Sequence, residues 1–147
     1  MQWLDEDFAD SCDFELIGVS SPLPPHRLCW EINFALDWNF AFSHLLTVAQ
    51  KNGQSEHAVY RFQRRTESLT RNIFLVENKI PSGVVARFQG AVELDYLIQL
   101  GEDCMPASEV IVLLKGIKSI QYAQLLDPLR SGAIEHLALL DLAEMSS

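Results

Sequence analysis

The arginines are the residues whose type and spacing come closest to chemistry. Arg61, Arg64, Arg65, Arg71 and Arg87 fall within one largely apolar stretch. Alternation through Ala58–Arg65 puts Ala58, Tyr60, Phe62 and Arg64 on one side of a strand and Val59, Arg61, Gln63 and Arg65 on the other. Guanidinium groups on one strand face share a surface, and their planar forks match the oxygens of a carboxylate or phosphate. Arg61, Arg65 and Arg87 are therefore the candidate ligand-binding residues, for an anionic metabolite. Pairing with Glu67, with Glu77 or with the acidic N-terminus is the competing use of the same charges.

Other chemistries find less to work with, and no catalytic residue is assigned. Glu93 and Asp95 stand two positions apart, so a strand points both to one face. A covered face would split their pKa values. A wet face leaves a solvated pair, the expectation here because Leu97 is the only apolar neighbour on that side. Cys29 belongs to an apolar helical stripe, and Cys104 follows Glu102 and Asp103, whose charge opposes thiolate formation. Ser20 and Ser21 end a strand before a helix, where turn formation accounts for them. The histidines His26, His44, His57 and His136 form no close pair, and only His26 and Cys29 share helical spacing, so no metal is expected. The glycines are scattered and no glycine-rich loop opens a helix, so no cofactor is expected.

The elements that must carry these residues follow from periodicity. Asp13–Ser21 reads as a strand interrupted by Gly18, and the prolines of Ser21–Pro25 end it. A helix over His26–Asp37 follows, with Leu28, Ile32, Ala35 and Leu36 on one face. Trp30 and Phe34 lie toward a second side, which implies cover on more than one face. Phe40–Ala49 reads as extended, with a helix over Ser43–Gln50 as the alternative, and Lys51–Ser55 as a turn around Asn52 and Gly53. Strands are predicted over Ala58–Arg65, Asn72–Glu77, Val84–Phe88, Glu93–Leu100 and Ile120–Leu126, with a second helix over Pro106–Lys115. The pattern predicts an α+β fold: a mainly antiparallel sheet of about six or seven strands, two helices packed on one face and a C-terminal tail helix. In domain terms it gives an acidic N-terminal lead over 1–13, a single domain over 14–128, and a helical tail over 129–147.

Three stretches, Phe14–Ser21 with Arg27–Asn33, Phe88–Tyr96, and Leu113–Pro128, together resemble a small bacterial family named for its IPExxxVDY motif. Leu94, Asp95 and Tyr96 keep the second half of that motif, while Phe88, Gln89 and Gly90 replace its first half. The resemblance implies this fold and a cytoplasmic setting. No activity is attached to the family.

Composition narrows the function classes. The chain has 147 residues, 48% of them hydrophobic, and a formal net charge of −9. That length suits one domain with a real core. The charge repels a phosphate backbone, so nucleic acid is not an expected partner. No apolar run reaches the ~20 residues of a membrane span, and the acidic start lacks the basic region of a secretory signal. Three widely spaced cysteines, Cys12, Cys29 and Cys104, fit reduced thiols in a cytoplasm. The expected function is a non-catalytic binding or protein-interaction module that forms a homodimer. Its expected interaction surface is Trp38, Phe40 and Phe42 with Ile134, Leu137 and Leu140 of the tail. The alternative is a small-molecule sensor of ferredoxin-like type, on analogy of layout.

Overall fold

The computed structural model describes residues 14–65, 70–86, 94–101 and 105–127. The elements run β1 (Phe14–Ser20), α1 (Pro25–Leu36), β2 (Ala41–Gln50), β3 (Gly53–Arg65), β4 (Thr70–Glu77), β5 (Lys79–Ile80), β6 (Gly83–Val84), β7 (Tyr96–Gly101), α2 (Ala107–Lys115) and β8 (Tyr122–Leu126). Six strands form one sheet in the order β2-β3-β4-β7-β1-β8, and β5 with β6 makes a separate ribbon. Every pairing is antiparallel. The α+β fold predicted from the sequence is thus observed, while the acidic lead and the tail helix lie outside the described residues. The strands β8-β1-β7-β4, with α1 after β1 and α2 after β7, have the βαββαβ order of a ferredoxin-like core, to which β2 and β3 add a hairpin at one edge. Among the described residues no helix is long and apolar enough to cross a membrane.

The sheet is buried on both faces, in two apolar clusters. On the first face, Leu28, Cys29 and Ile32 of α1 and Val110 and Leu114 of α2 cover Ile17, Val19, Ile73, Leu75, Tyr96, Ile98 and Leu100. On the second, Leu16, Val59, Phe74, Val76 and Leu97 pack with Val85, Ala86 and Leu94. The expected wet side of β7 is therefore corrected. Leu97 and Gln99 are buried because β7 sits between β4 and β1 in the middle of the sheet.

Local chemistry explains the joints. Pro25 occupies the first position of α1, where its missing N–H costs nothing, and Arg27 and Leu28 donate to the Pro24 carbonyl. Asp37 ends the helix at φ 57°, a left-handed turn that aspartate tolerates. The Asn33 side chain then clamps the next residues: its amide donates to Phe40 O at 3.1 Å, and Phe40 N–H donates to its Oδ1 at 2.8 Å. The β2–β3 hairpin is tighter than expected. Gln50 pairs with Gly53, so Lys51 and Asn52 alone form the loop, and Gly53 takes φ 141°, open to glycine. A bulge at Ser43 shifts the register between Phe42 and His44. Of the strand predicted over Val84–Phe88, Arg87 and Phe88 lie outside the described residues, and β6 ends at Val84 because the backbones of Val85 and Ala86 bond to Asn78 instead of to a neighbouring strand.

Candidate functional site

Of the three predicted ligand-binding arginines, Arg61 alone has a described side chain. Arg65 contributes backbone paired with Thr70, and its side chain and the whole of Arg87 lie outside the described residues. Arg61 is half-buried on the second face. Strand register sets it in a row with Phe74, Gln99 and Leu16 across β3, β4, β7 and β1. Gln99 is 3% exposed, and its Oε1 has no hydrogen-bond partner. An orphaned buried acceptor costs about 1–3 kcal/mol, so a polar atom there calls for a partner.

The second face also carries a polar chain, which the expected turn over Lys51–Ser55 hides in the sequence. Ser55 and His57, both buried, point to one side of β3. His57 Nδ1 lies 2.8 Å from the Glu77 carbonyl oxygen, which only accepts, so Nδ1 carries the proton. Nε2 of the neutral ring is then the acceptor, and the Ser55 hydroxyl donates to it at 2.6 Å. Gln50 Nε2 donates both to Ser55 Oγ and to Val84 O, each at 2.9 Å, tying this chain to the β5–β6 ribbon. Gly83 permits that approach, since a Cβ there would stand 2.4 Å from the Gln50 side chain. Burial pushes the His57 pKa down from its usual 6.5, against an opposing pull from the Glu77 carbonyl and carboxylate. A serine donating to a histidine is the geometry of an activated nucleophile. Ser55 is nevertheless covered by Gln50 and leaves a substrate no approach, so the chain joins strands.

Asn78 organises the excursion from β4 to β7. It is buried, its Nδ2 donates to Ala86 O at 3.1 Å and to Leu94 O at 2.8 Å, and Ala86 N–H donates to its Oδ1 at 2.8 Å. Leu94, Asp95 and Tyr96 fasten the other end. Leu94 lies over Gly18, where an added Cβ would come within 2.3 Å of it. The Asp95 carboxylate accepts from Ser21 N–H at 3.0 Å, and the Tyr96 hydroxyl donates to Leu23 O. Asp95 is thus committed to the backbone and is not the solvated carboxylate expected from its spacing with Glu93, which lies outside the described residues. Burial raises the Tyr96 pKa, keeping its hydroxyl a donor.

The remaining candidates are structural. Ser21 Oγ accepts from Leu23 N–H at 3.3 Å, closing a turn. Burial pushes the Cys29 thiol up to about 12, so it is inert as a nucleophile. Among the described residues no group of three or more His, Cys, Asp or Glu side chains is placed to hold a metal ion.

The expected interaction surface is redistributed. Trp38 and Phe40 face inward: Trp38 stacks on Phe62 at 5.7 Å, and Phe40 meets both rings edge-on. The left-handed turn at Asp37 and the Asn33 clamp direct them there. Phe42 stays 56% exposed on the edge strand, against Tyr60. Ile134, Leu137 and Leu140 lie outside the described residues. The larger apolar surface is the outer side of α1, where Trp30 is 55% and Phe34 81% exposed, with their rings stacked at 5.8 Å. The cover implied for that second side of the helix is absent among the described residues.

No protein-family model, no curated protein and no solved structure matches this chain.

Proposed function

We propose that the chain is a non-catalytic interaction module of the cytoplasm that associates with a second copy of itself. The observation that carries this reading is the gathering of exposed apolar side chains on the helix-bearing side. Trp30 and Phe34 of α1 and Val112 and Leu113 of α2 point outward from the helix layer. Phe42 and Leu45, whose register partners Tyr60 and Ala58 sit on the helix face of β3, extend it at one edge. Exposed apolar side chains gathered on one side of a globular domain mark a contact, and a twofold dimer is its commonest form. The cytoplasmic setting is supported by widely spaced cysteines, of which Cys29 is a free buried thiol. Native mass spectrometry of the purified chain tests the reading. A dimer is expected, and a monomer that persists at high concentration contradicts it.

A second reading, a regulatory domain for an anionic metabolite, is favoured by one observation. Gln99 Oε1 is buried without a partner in the same cross-strand row as Arg61. A ligand that donates to the amide oxygen would satisfy it, and a carboxylate on the same ligand would suit the guanidinium in that row. A small-molecule adduct surviving in the same spectra supports this reading, and bare protein at every declustering energy speaks against it.

A further inference from the structure

We infer that the self-contact is an antiparallel pairing of α1 with α1 of a second copy about a twofold axis at Ile32. The inference rests on the self-association proposed above and specifies its surface. Arg27, Trp30 and Phe34 recur along α1 at intervals of three and four residues, the spacing of a coiled-coil seam, and Asp37 follows three residues on, at the C-cap just past the last helical residue. Arg27, Trp30 and Phe34 are exposed on the side of α1 opposite Leu28, Cys29 and Ile32, and Asp37 is exposed at the C-cap.

The seam is symmetric. Trp30 and Phe34 stand two residues either side of Ile32, and Arg27 and Asp37 stand five residues either side. The axis that sets Trp30 against the partner's Phe34 therefore sets Arg27 against the partner's Asp37, twice.

The charges point the same way. α1 has no acidic residue in its first turn and no basic residue in its last. A cation near a helix N-terminus and an anion near its C-terminus oppose the helix dipole. Arg27 and Asp37 are thus opposed to the dipole of their own helix, although Glu31 one turn on offers Arg27 a partly exposed carboxylate at 3.9 Å. Against an antiparallel partner, each lies at the end of the neighbouring dipole that attracts it. Arg27 is already held at the seam, with its guanidinium 4.9 Å from the centroid of the Trp30 ring. A twelve-residue helix alone falls short of the ~800 Å² per partner of a stable complex. Val112 and Leu113 on α2, packed beside α1, widen the surface.

Charge reversal by sedimentation velocity tests the register. Arg27→Glu and Asp37→Lys each place like charges together at both ends of the seam and should weaken association about tenfold. Mixing the two variants should restore a dimer, because every contact in the mixed pair is again opposite in sign. If Asp37→Lys strains the left-handed turn and does not fold, Asp37→Asn keeps that backbone and should relieve the repulsion in the Arg27→Glu background. A wild-type dimer insensitive to these changes and to Phe34→Ala overturns the α1 pairing and leaves self-association standing. Weakened single variants whose mixture stays monomeric overturn the antiparallel register. A wild-type chain that never dimerises removes both proposals.

Discussion

Ser55 Oγ and His57 Nε2 lie 2.6 Å apart on the second face of β3, and the Ser55 hydroxyl donates across that gap only while the ring is neutral. Protonation gives Nε2 a hydrogen of its own. The Ser55 hydroxyl must then turn to Val48 O, 3.5 Å away, a poorer acceptor.

That relationship sets a pH dependence. The folded-state pKa of His57 is lowered, so between that value and the unfolded value near 6.5 the unfolded chain binds more protons. The stability contributed by neutral His57 is complete above pH ~6.5 and is lost as pH falls toward the folded pKa. Urea midpoints between pH 8 and pH 5 should fall on the acid side. His57→Gln should flatten that limb while lowering stability throughout. An unchanged acid limb in the variant would assign the effect to other groups.

Asn78 makes a separate prediction. Asn78→Ala strips partners from Ala86 N–H, Ala86 O and Leu94 O, all within buried surroundings. The expected loss is about 3–5 kcal/mol in urea unfolding. Asn78→Asp should recover little of it, because a carboxylate accepts from Ala86 N–H and donates to neither carbonyl.

Gln99 tests the cost of a buried acceptor without a partner. If its Oε1 has no partner in solution, Gln99→Met removes an unsatisfied acceptor at similar volume and should stabilise the chain by about 1 kcal/mol. A destabilised variant would mean that the hydrogen bonds of the rest of the amide outweigh the orphaned oxygen.

The elements were legible in the sequence because their signals are local. Proline and apolar spacing placed α1, Asn52 and Gly53 placed the first hairpin, and alternation placed β3. Strand order was not legible, and three misreadings follow from it. Leu97 and Gln99 read as a wet side because their neighbours in space, Val76 and Gly18 for the first and Phe74 and Leu16 for the second, are remote in sequence. Trp38 and Phe40 read as interaction surface because their partner Phe62 lies on a strand paired with β2, beyond the Asp37 turn. Asp95 read as one of a carboxylate pair, whereas its partner is a backbone N–H 74 residues away. The Ser55–His57 chain did carry a signal, two polar residues at strand spacing beside Gln50, which the expected turn over Lys51–Ser55 obscured. The outer side of α1 was visible as a second stripe, and its exposure followed once α2 and the sheet had taken the other side.

The most direct test of the account is sedimentation velocity over a concentration series, on the wild-type chain and on the Trp30→Ala, Phe34→Ala double variant. A concentration-dependent dimer is expected for the wild type, and a monomer with an unchanged urea midpoint for the variant, since both side chains are exposed in the single chain. A wild type that stays monomeric throughout, or a variant that dimerises as the wild type does, would contradict it.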